Sequence, residues 1–211
     1  MSRSGRAAVA LVSLALLGCT AGEGEGWVRS ERLFIEDCWN GKFDLKPDFF
    51  AANPSRDTQM IRVQRGDNIE EMSDGLMAVV TDVGAIRRGM LGQALSVGLP
   101  VGVHPPGTGL PTTPSADPPR VSLALYLHDT CHGQNGTLYS IDGTITFNAL
   151  FSGDRNESSA DERLTDAEFE ATFADPRDLQ PDGTYPPERT STVRGWFRFF
   201  FQRGQPAQPF P

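Results

Sequence analysis

"ERLTDAEFEATFADP", residues 162–176, is the stretch whose reading decides the fold class. Its Ala and Glu content favours a helix, and Thr165 or Asp166 would serve as the N-cap. The order of the residues argues the other way. Ala167, Phe169, Ala171 and Phe173 alternate without a break with Glu168, Glu170 and Thr172. A strict period of two gives one apolar and one wet face on a strand, whereas a helix repeats every 3.6 residues. The segment is therefore predicted to be a strand.

The same pattern recurs outward from it. "STVRGWFRFFFQRG" (191–204) is predicted to be the last strand, pairing with 162–176 across a Pro-rich connection. In "RVSLALYLHDTC" (120–131), Val121, Leu123, Leu125 and Leu127 face one side, and Ser122, Ala124, Tyr126 and His128 the other. In "GTITFNALFSG" (143–153), Ile145, Phe147, Ala149 and Phe151 alternate with Thr144, Thr146, Asn148 and Leu150. "TQMIRVQRG" (58–66) and "GLMAVVTDVG" (75–84) are shorter strand-like runs joined by "DNIEEMSD", and another strand is expected around Lys42–Leu45. Half-buried antiparallel sheets require such rows. Residues 104–119, with six prolines, and residues 174–192 are loops by composition. No internal repeat or composition boundary divides the chain. The expected fold is all-β: an antiparallel β-sandwich with Pro-rich loops, the jelly roll being its candidate topology. An outer-membrane barrel needs at least eight strands of ~9–11 residues with apolar outer faces, and the candidates are fewer and interrupted by proline.

The N-terminus gives an address. "MSRSGRAAVALVSLALLG" opens with Arg3 and Arg6, continues with an apolar run from Ala7 to Leu17, and ends in small Gly18. That is the layout of an export signal, with an apolar run too short for the ~20 residues of a spanning helix. Leu16-Leu17-Gly18-Cys19 resembles the lipobox of bacterial lipoprotein signals. The resemblance implies cleavage before Cys19, a diacylglyceryl thioether on its sulfur and acylation of the new amine; several acyl chains anchor a protein far better than one. It divides the chain into a signal peptide (1–18), a flexible acidic tether beginning "CTAGEGEG" (19–27) and one β-domain (28–211). Thr20 stands where an aspartate marks inner-membrane retention in enterobacteria, so the expected location is the outer membrane.

Removal of Arg3 and Arg6 with the signal leaves 17 basic and 27 acidic residues, a formal charge of −10. Such a surface repels nucleic acid, whose binders need a basic footprint, and repels anionic headgroups, leaving the anchoring to the lipid. Two cysteines remain, Cys38 and Cys131, and in an oxidising compartment an even pair reads as a disulfide. Seventeen of the nineteen basic residues are Arg, as in proteins from GC-rich genomes. "DFFAANPSRDTQMIRVQRGD" and the later "FFFQRGQPAQPFP" resemble a group of uncharacterised lipoproteins and secreted proteins of myxobacteria. That resemblance implies a Gram-negative surface protein and brings no activity or site.

Chemistry-bearing constellations are sparse. "HDTCH" (128–132) sets His128 and His132 around Asp129 and Cys131, but the run ends a strand, lacks the glutamate of a zincin-type motif, and loses Cys131 to the expected disulfide. Asp67, Asn68, Glu70, Glu71 and Asp74, and Asp154, Asn156, Glu157, Asp161 and Glu162, are acidic loops without EF-hand spacing and read as solvated turns. There is no nucleophile elbow, no Ser-x-x-Lys and no phosphate-binding glycine fingerprint, and no pair among the 27 acids stands out for glycoside hydrolysis. No enzyme, metal or cofactor is expected. "GWFRFFFQRG" (195–204) is the most informative stretch. Phe197, Phe199 and Phe201 form a core row, while Trp196, Arg198, Phe200 and Gln202 face outward. Large aromatics on an outer face are covered by a loop or by "EGWVRSERLF", or are offered to an envelope protein or a glycan. The expected role is non-catalytic, structural or protein-binding, with a carbohydrate-binding module as the alternative and a small envelope hydrolase behind it.

Overall fold

The computed structural model describes residues 24–66, 73–99, 120–132 and 136–202. Cys19, the signal segment, the Pro-rich stretch 104–119 and the acidic residues 67–72 lie outside them. Ten strands follow in chain order: β1 (Gly24–Ile35), β2 (Trp39–Leu45), β3 (Phe49–Ser55), β4 (Thr58–Gln64), β5 (Asp74–Val80), β6 (Ala94–Ser96), β7 (Val121–Leu127), β8 (Thr137–Ala149), β9 (Leu164–Ala174) and β10 (Ser191–Phe200). Two short helices, α1 (Val83–Gly89) and α2 (Ala160–Arg163), complete the set with two 3₁₀ turns in the 174–192 loop. The fold is all-β and antiparallel, as expected. Within residues 162–176, Leu164–Ala174 form a strand as expected, β9, which pairs from Leu164 to Phe173 with β10, while Glu162 and Arg163 end α2.

The main path runs β2-β1-β10-β9-β8-β7-β5-β4-β3, with β6 paired to β8 off this path. Laid flat, nine strands would separate the outer two by about 38 Å, at ~4.8 Å per neighbour. Yet those two edges are joined only by Lys46-Pro47-Asp48, and four Cα steps reach at most ~14 Å. The sheet must therefore curl until its edges approach. Its two packed faces belong to one curled sheet, and its connections join neighbours rather than crossing as in a jelly roll. β2 and β3 act as one strand bent at Pro47: Asp48 N–H donates to Gln64 O at 3.1 Å, and Arg65 reaches back to Asp44 O at 3.4 Å.

The inner face fills the curl with phenylalanine. Phe147, Phe151, Phe173, Phe197 and Phe199 are fully buried, and Phe50 of β3 stacks on Phe199 of β10 at 5.9 Å, so the first and second halves of the chain share one core. A sheet of this size rolled up has an interior just wide enough for side chains. Outward faces carry charge instead: Arg29 with Asp44, Lys42 with Glu31, Arg194 with Glu170. That polarity is the reverse of a lipid-facing barrel wall. No helix among the described residues is long and apolar enough to cross a membrane.

The expected tether over residues 19–27 overlaps β1: Gly24–Trp27 belong to that strand and pair with Trp196–Phe199 of β10, while residues 19–23 lie outside the described residues. Close approach, not flexibility, explains two of these glycines. A Cβ on Gly24 would lie 2.5 Å from the Phe50 ring, and one on Gly26 would lie 2.5 Å from Trp196 O. The run at 75–84 is also cut short. Asp82 adopts φ 54°, which ends the extended chain, and Val83 and Gly84 enter α1, where Asp57 accepts from both of their amides.

β7 departs from its half-wet reading, since all seven of its residues are buried. Tyr126 lies flat over Gly75 of β5, donates to Gln64 Oε1 of β4 at 3.3 Å, and has the Arg62 guanidinium 5.4 Å from its ring centre. Burial pushes the Tyr126 hydroxyl up to about 12 and holds Arg62 below its ordinary value. β7 pairs with β8 only through Ala124–Tyr126, after which β8 turns to β6. Ser140 bridges the resulting split: its hydroxyl accepts from Leu123 N–H at 2.9 Å and donates to Gly98 O at 3.0 Å.

The expected disulfide is present. Cys38, in the β1–β2 turn, bonds Cys131 in the turn after β7, with Cα atoms 5.6 Å apart. Asp74 holds the second turn in position, accepting from the amides of Asp129 and Thr130 at 3.1 and 3.0 Å and from the Thr130 hydroxyl at 2.6 Å. At the same end of the sheet, Arg189 clamps the 174–192 loop by donating to both oxygens of Glu36 and to Asp178.

Candidate binding face

The outward side of β1, β10 and β9 carries the aromatic row singled out in the sequence, Trp196, Arg198 and Phe200. Strand register fixes its rows, because directly opposed residues share a face. One row runs Asp44, Arg29, Arg194, Glu170. Like charges would repel at its centre, and each arginine is neutralised by its own carboxylate: Arg29 Nε to Asp44 at 3.1 Å, Arg194 Nε to Glu170 at 3.0 Å. The Glu170 hydrogen bond raises the Arg194 value above the ordinary guanidinium range, in a fully exposed pair of small energetic weight.

The next row places Trp27 of β1 directly beside Trp196 of β10, followed by Glu168 of β9. Both tryptophans are half-buried, and the Arg29 guanidinium lies 4.8 Å above the Trp27 ring. The third row is Glu25, Arg198, Asp166, an exposed cation between two carboxylates. Beyond it Phe200, 37 % exposed, faces Leu164 of β9. Trp196, Arg198 and Phe200 therefore share one outward face, and Gln202 follows half-buried after the strand has ended. "EGWVRSERLF" does not cover this face; it extends it, adding Trp27 and Arg29. The alternation of Trp27, Arg29 and Glu31 with Val28 and Ser30 is the signal that would have revealed that strand. Chemically, the face offers two adjoining indole surfaces bordered by donors and acceptors.

The other candidates do not converge. His128 lies against Tyr126 with ring centres 5.5 Å apart, His132 is exposed and pairs with Asp129 at 3.5 Å, and Cys131 is consumed by the disulfide. In the second acidic loop, Asp154 accepts from Asn156 N–H, Glu157 accepts from Ser159 N–H, and Glu162 pairs with Arg87. In the first, Asp67, Asn68, Glu70 and Glu71 lie outside the described residues, and Asp74 is buried in the turn network. Among the described residues, no group of three or more His, Cys, Asp or Glu is placed to hold a metal ion.

Fold and face together define a class: an antiparallel, curled-sheet protein with a paired-tryptophan outer face. No protein-family model, curated protein or solved structure matches the chain.

Proposed function

We propose that this protein is a lipid-anchored lipoprotein of the bacterial envelope, acylated at Cys19 and held at the outer membrane, with a non-catalytic structural or protein-binding role. The observation that carries the reading is "LLGCT" at the end of a charged-then-apolar leader. Anchoring restricts the domain to a surface and so raises its effective concentration for other envelope proteins. Intact mass of the protein purified from its own membrane tests this, with Cys19→Ala alongside. A mass corresponding to cleavage before Cys19 plus acyl chains, lost in the variant, is the expected result. An unacylated mature chain in the medium would sink it.

A second reading, recognition of a glycan, is favoured by the side-by-side placement of Trp27 and Trp196. Flat indole rings stack on sugar rings, and Arg198 and Glu168 stand at the border to hydrogen-bond hydroxyls. A glycan array with the wild type and Trp196→Ala distinguishes the two. Binding that disappears in a folded Trp196→Ala protein supports the sugar; an empty array, with envelope neighbours captured by crosslinking in cells, supports the protein partner.

A further inference from the structure

We infer that the tip of the β1–β2 hairpin, residues 30–41, is a flap folded over one mouth of the curl, and that the Cys38–Cys131 disulfide is its redox-sensitive catch. With β2 and β3 counted as one bent strand, eight strands go round the curl. β1 and β7 then stand four steps apart in either direction, through β10, β9 and β8 or through the bent strand, β4 and β5. Eight strands at ~4.8 Å per neighbour give a girth of about 38 Å and a width of about 12 Å, which strand tilt only increases. Yet Cys38, in the turn after β1, and Cys131, in the turn after β7, have Cα atoms 5.6 Å apart. The two turns therefore meet over the mouth, and one of them has to lean.

The leaning side is the hairpin. The turn of Cys131 is fastened to the wall by Asp74 of β5, which accepts hydrogen bonds from the amides of Asp129 and Thr130 and from the Thr130 hydroxyl. The hairpin leaves the wall at Ser30. The main-chain ladder of β1 with β10 runs from Gly24 to Arg29 and stops there, and its register with β2 shifts between Ser30 and Leu33, an irregularity that bends a strand. Beyond that point two side-chain hydroxyls replace the ladder. Ser30 donates to Thr192 O at 2.8 Å, and Ser191 accepts from Phe34 N–H at 2.9 Å. Nearer the tip, Arg32 donates to Glu188 O and Arg189 donates to Glu36, contacts open to water and so weak fasteners. Leu33 and Ile35 are buried in the core and draw the flap shut. The covalent bond is what forbids opening, and the apolar contacts set how rare opening is once that bond is gone. The opened mouth presents the apolar end of the interior, with Leu127 of β7 and Phe173 of β9 among its side chains.

The agent that releases the catch is a dithiol. Cys38 is half-buried and Cys131 buried, so a thiolate reaches the Cys38 sulfur, forms a mixed disulfide there and expels the Cys131 thiolate, which takes up a proton. The second thiolate of the reagent closes on its own sulfur as a cyclic disulfide and releases Cys38, protonated, as a thiol. Two electrons and two protons pass from the dithiol to the cystine, and no other reactant is needed.

Amide hydrogen exchange of the full chain, oxidised and after dithiothreitol, tests the flap. The Phe34 N–H is held to the wall by the Ser191 hydroxyl, whereas amides of the Gly24–Arg29 ladder report the wall itself. Reduction is expected to speed Phe34 exchange by about tenfold or more beyond any change in the ladder, with far-ultraviolet circular dichroism unchanged. Cys38→Ser/Cys131→Ser is expected to show the same pattern without reductant. Equal acceleration of Phe34 and the ladder would mean that the bond stabilises the whole fold and holds no flap, and would overturn the inference. Unchanged Phe34 exchange, or loss of the sheet signal on reduction, would overturn it too. A disulfide that free-thiol labelling shows intact after dithiothreitol treatment of the native protein would overturn the redox catch, with the double serine variant then reading the flap alone.

Discussion

Gly24 and Gly26 look in the sequence like a flexible lead-in, and in the structure they are the tightest places on β1. The backbone of β10 and the ring of Phe50 occupy the space a side chain would need. Gly26→Val should therefore destabilise the domain by about 1–3 kcal/mol through overpacking. Gly41→Ala, where an added Cβ meets nothing within 4 Å, should be neutral or slightly stabilising; chemical denaturation of both variants separates the cases. Tyr126 carries a second residue-scale consequence. Its hydroxyl titrates near 12 in the fold and near 10 in the unfolded chain. The unfolded state thus releases its proton first, and stability that is complete below pH 10 is lost as pH rises toward 12. The loss is about 2–3 kcal/mol for this one group. Tyr126→Phe should flatten that part of the stability–pH curve, and phenolate absorbance of the native protein should show a late-titrating tyrosine.

At the scale of elements, the disulfide ties the β1–β2 turn to the β7–β8 turn, closing 93 residues of chain. In the chain-entropy view such a loop is worth about 4–5 kcal/mol, an upper figure because unfolded chains retain some structure. Cys38→Ala/Cys131→Ala should lower the denaturation midpoint accordingly, whereas Asp74→Asn, which spares the bond and weakens the turn that carries it, should cost about 1–3 kcal/mol. Elements that alternate one apolar face against water were legible in the sequence: β9 and β10, and the inner rows of β4 and β7. β1 was hidden because glycines at its inward positions imitate a linker, and its period of two survives only in Trp27, Arg29 and Glu31. β3 was hidden by Pro54 and by the short hydrophobic pairs around it. The second buried face of β7 was illegible for another reason. A tyrosine lying across a glycine of the paired strand is a tertiary arrangement, and Gly75 gives no local sign of it. The same limit applied to the outer face, where Trp196, Arg198 and Phe200 could be placed but their neighbour Trp27 could not.

For the whole molecule, the closure of the curl sets the behaviour. β1 contributes one edge to β2 and the other to β10, so removing residues 191–211 would leave both β1 and β9 with an unpaired edge and open the phenylalanine core. Such a truncated chain should elute as aggregate in size-exclusion chromatography rather than as a smaller monomer. The mixed charge rows outside and aromatic rows inside give the described wall a polar outer surface and an apolar interior. The pairing of Gly24 with Phe199 also orders events in time. A chain synthesised N-terminus first has its opening strand available long before its closing one, and until some 170 further residues arrive that strand can be satisfied on one edge only. Closure therefore waits on the last stretch to emerge, and joining the neighbouring ends of β1 and β10 by a short linker, with the chain opened at the β3–β4 turn, should yield a circular permutant that folds to the same curl by a different schedule.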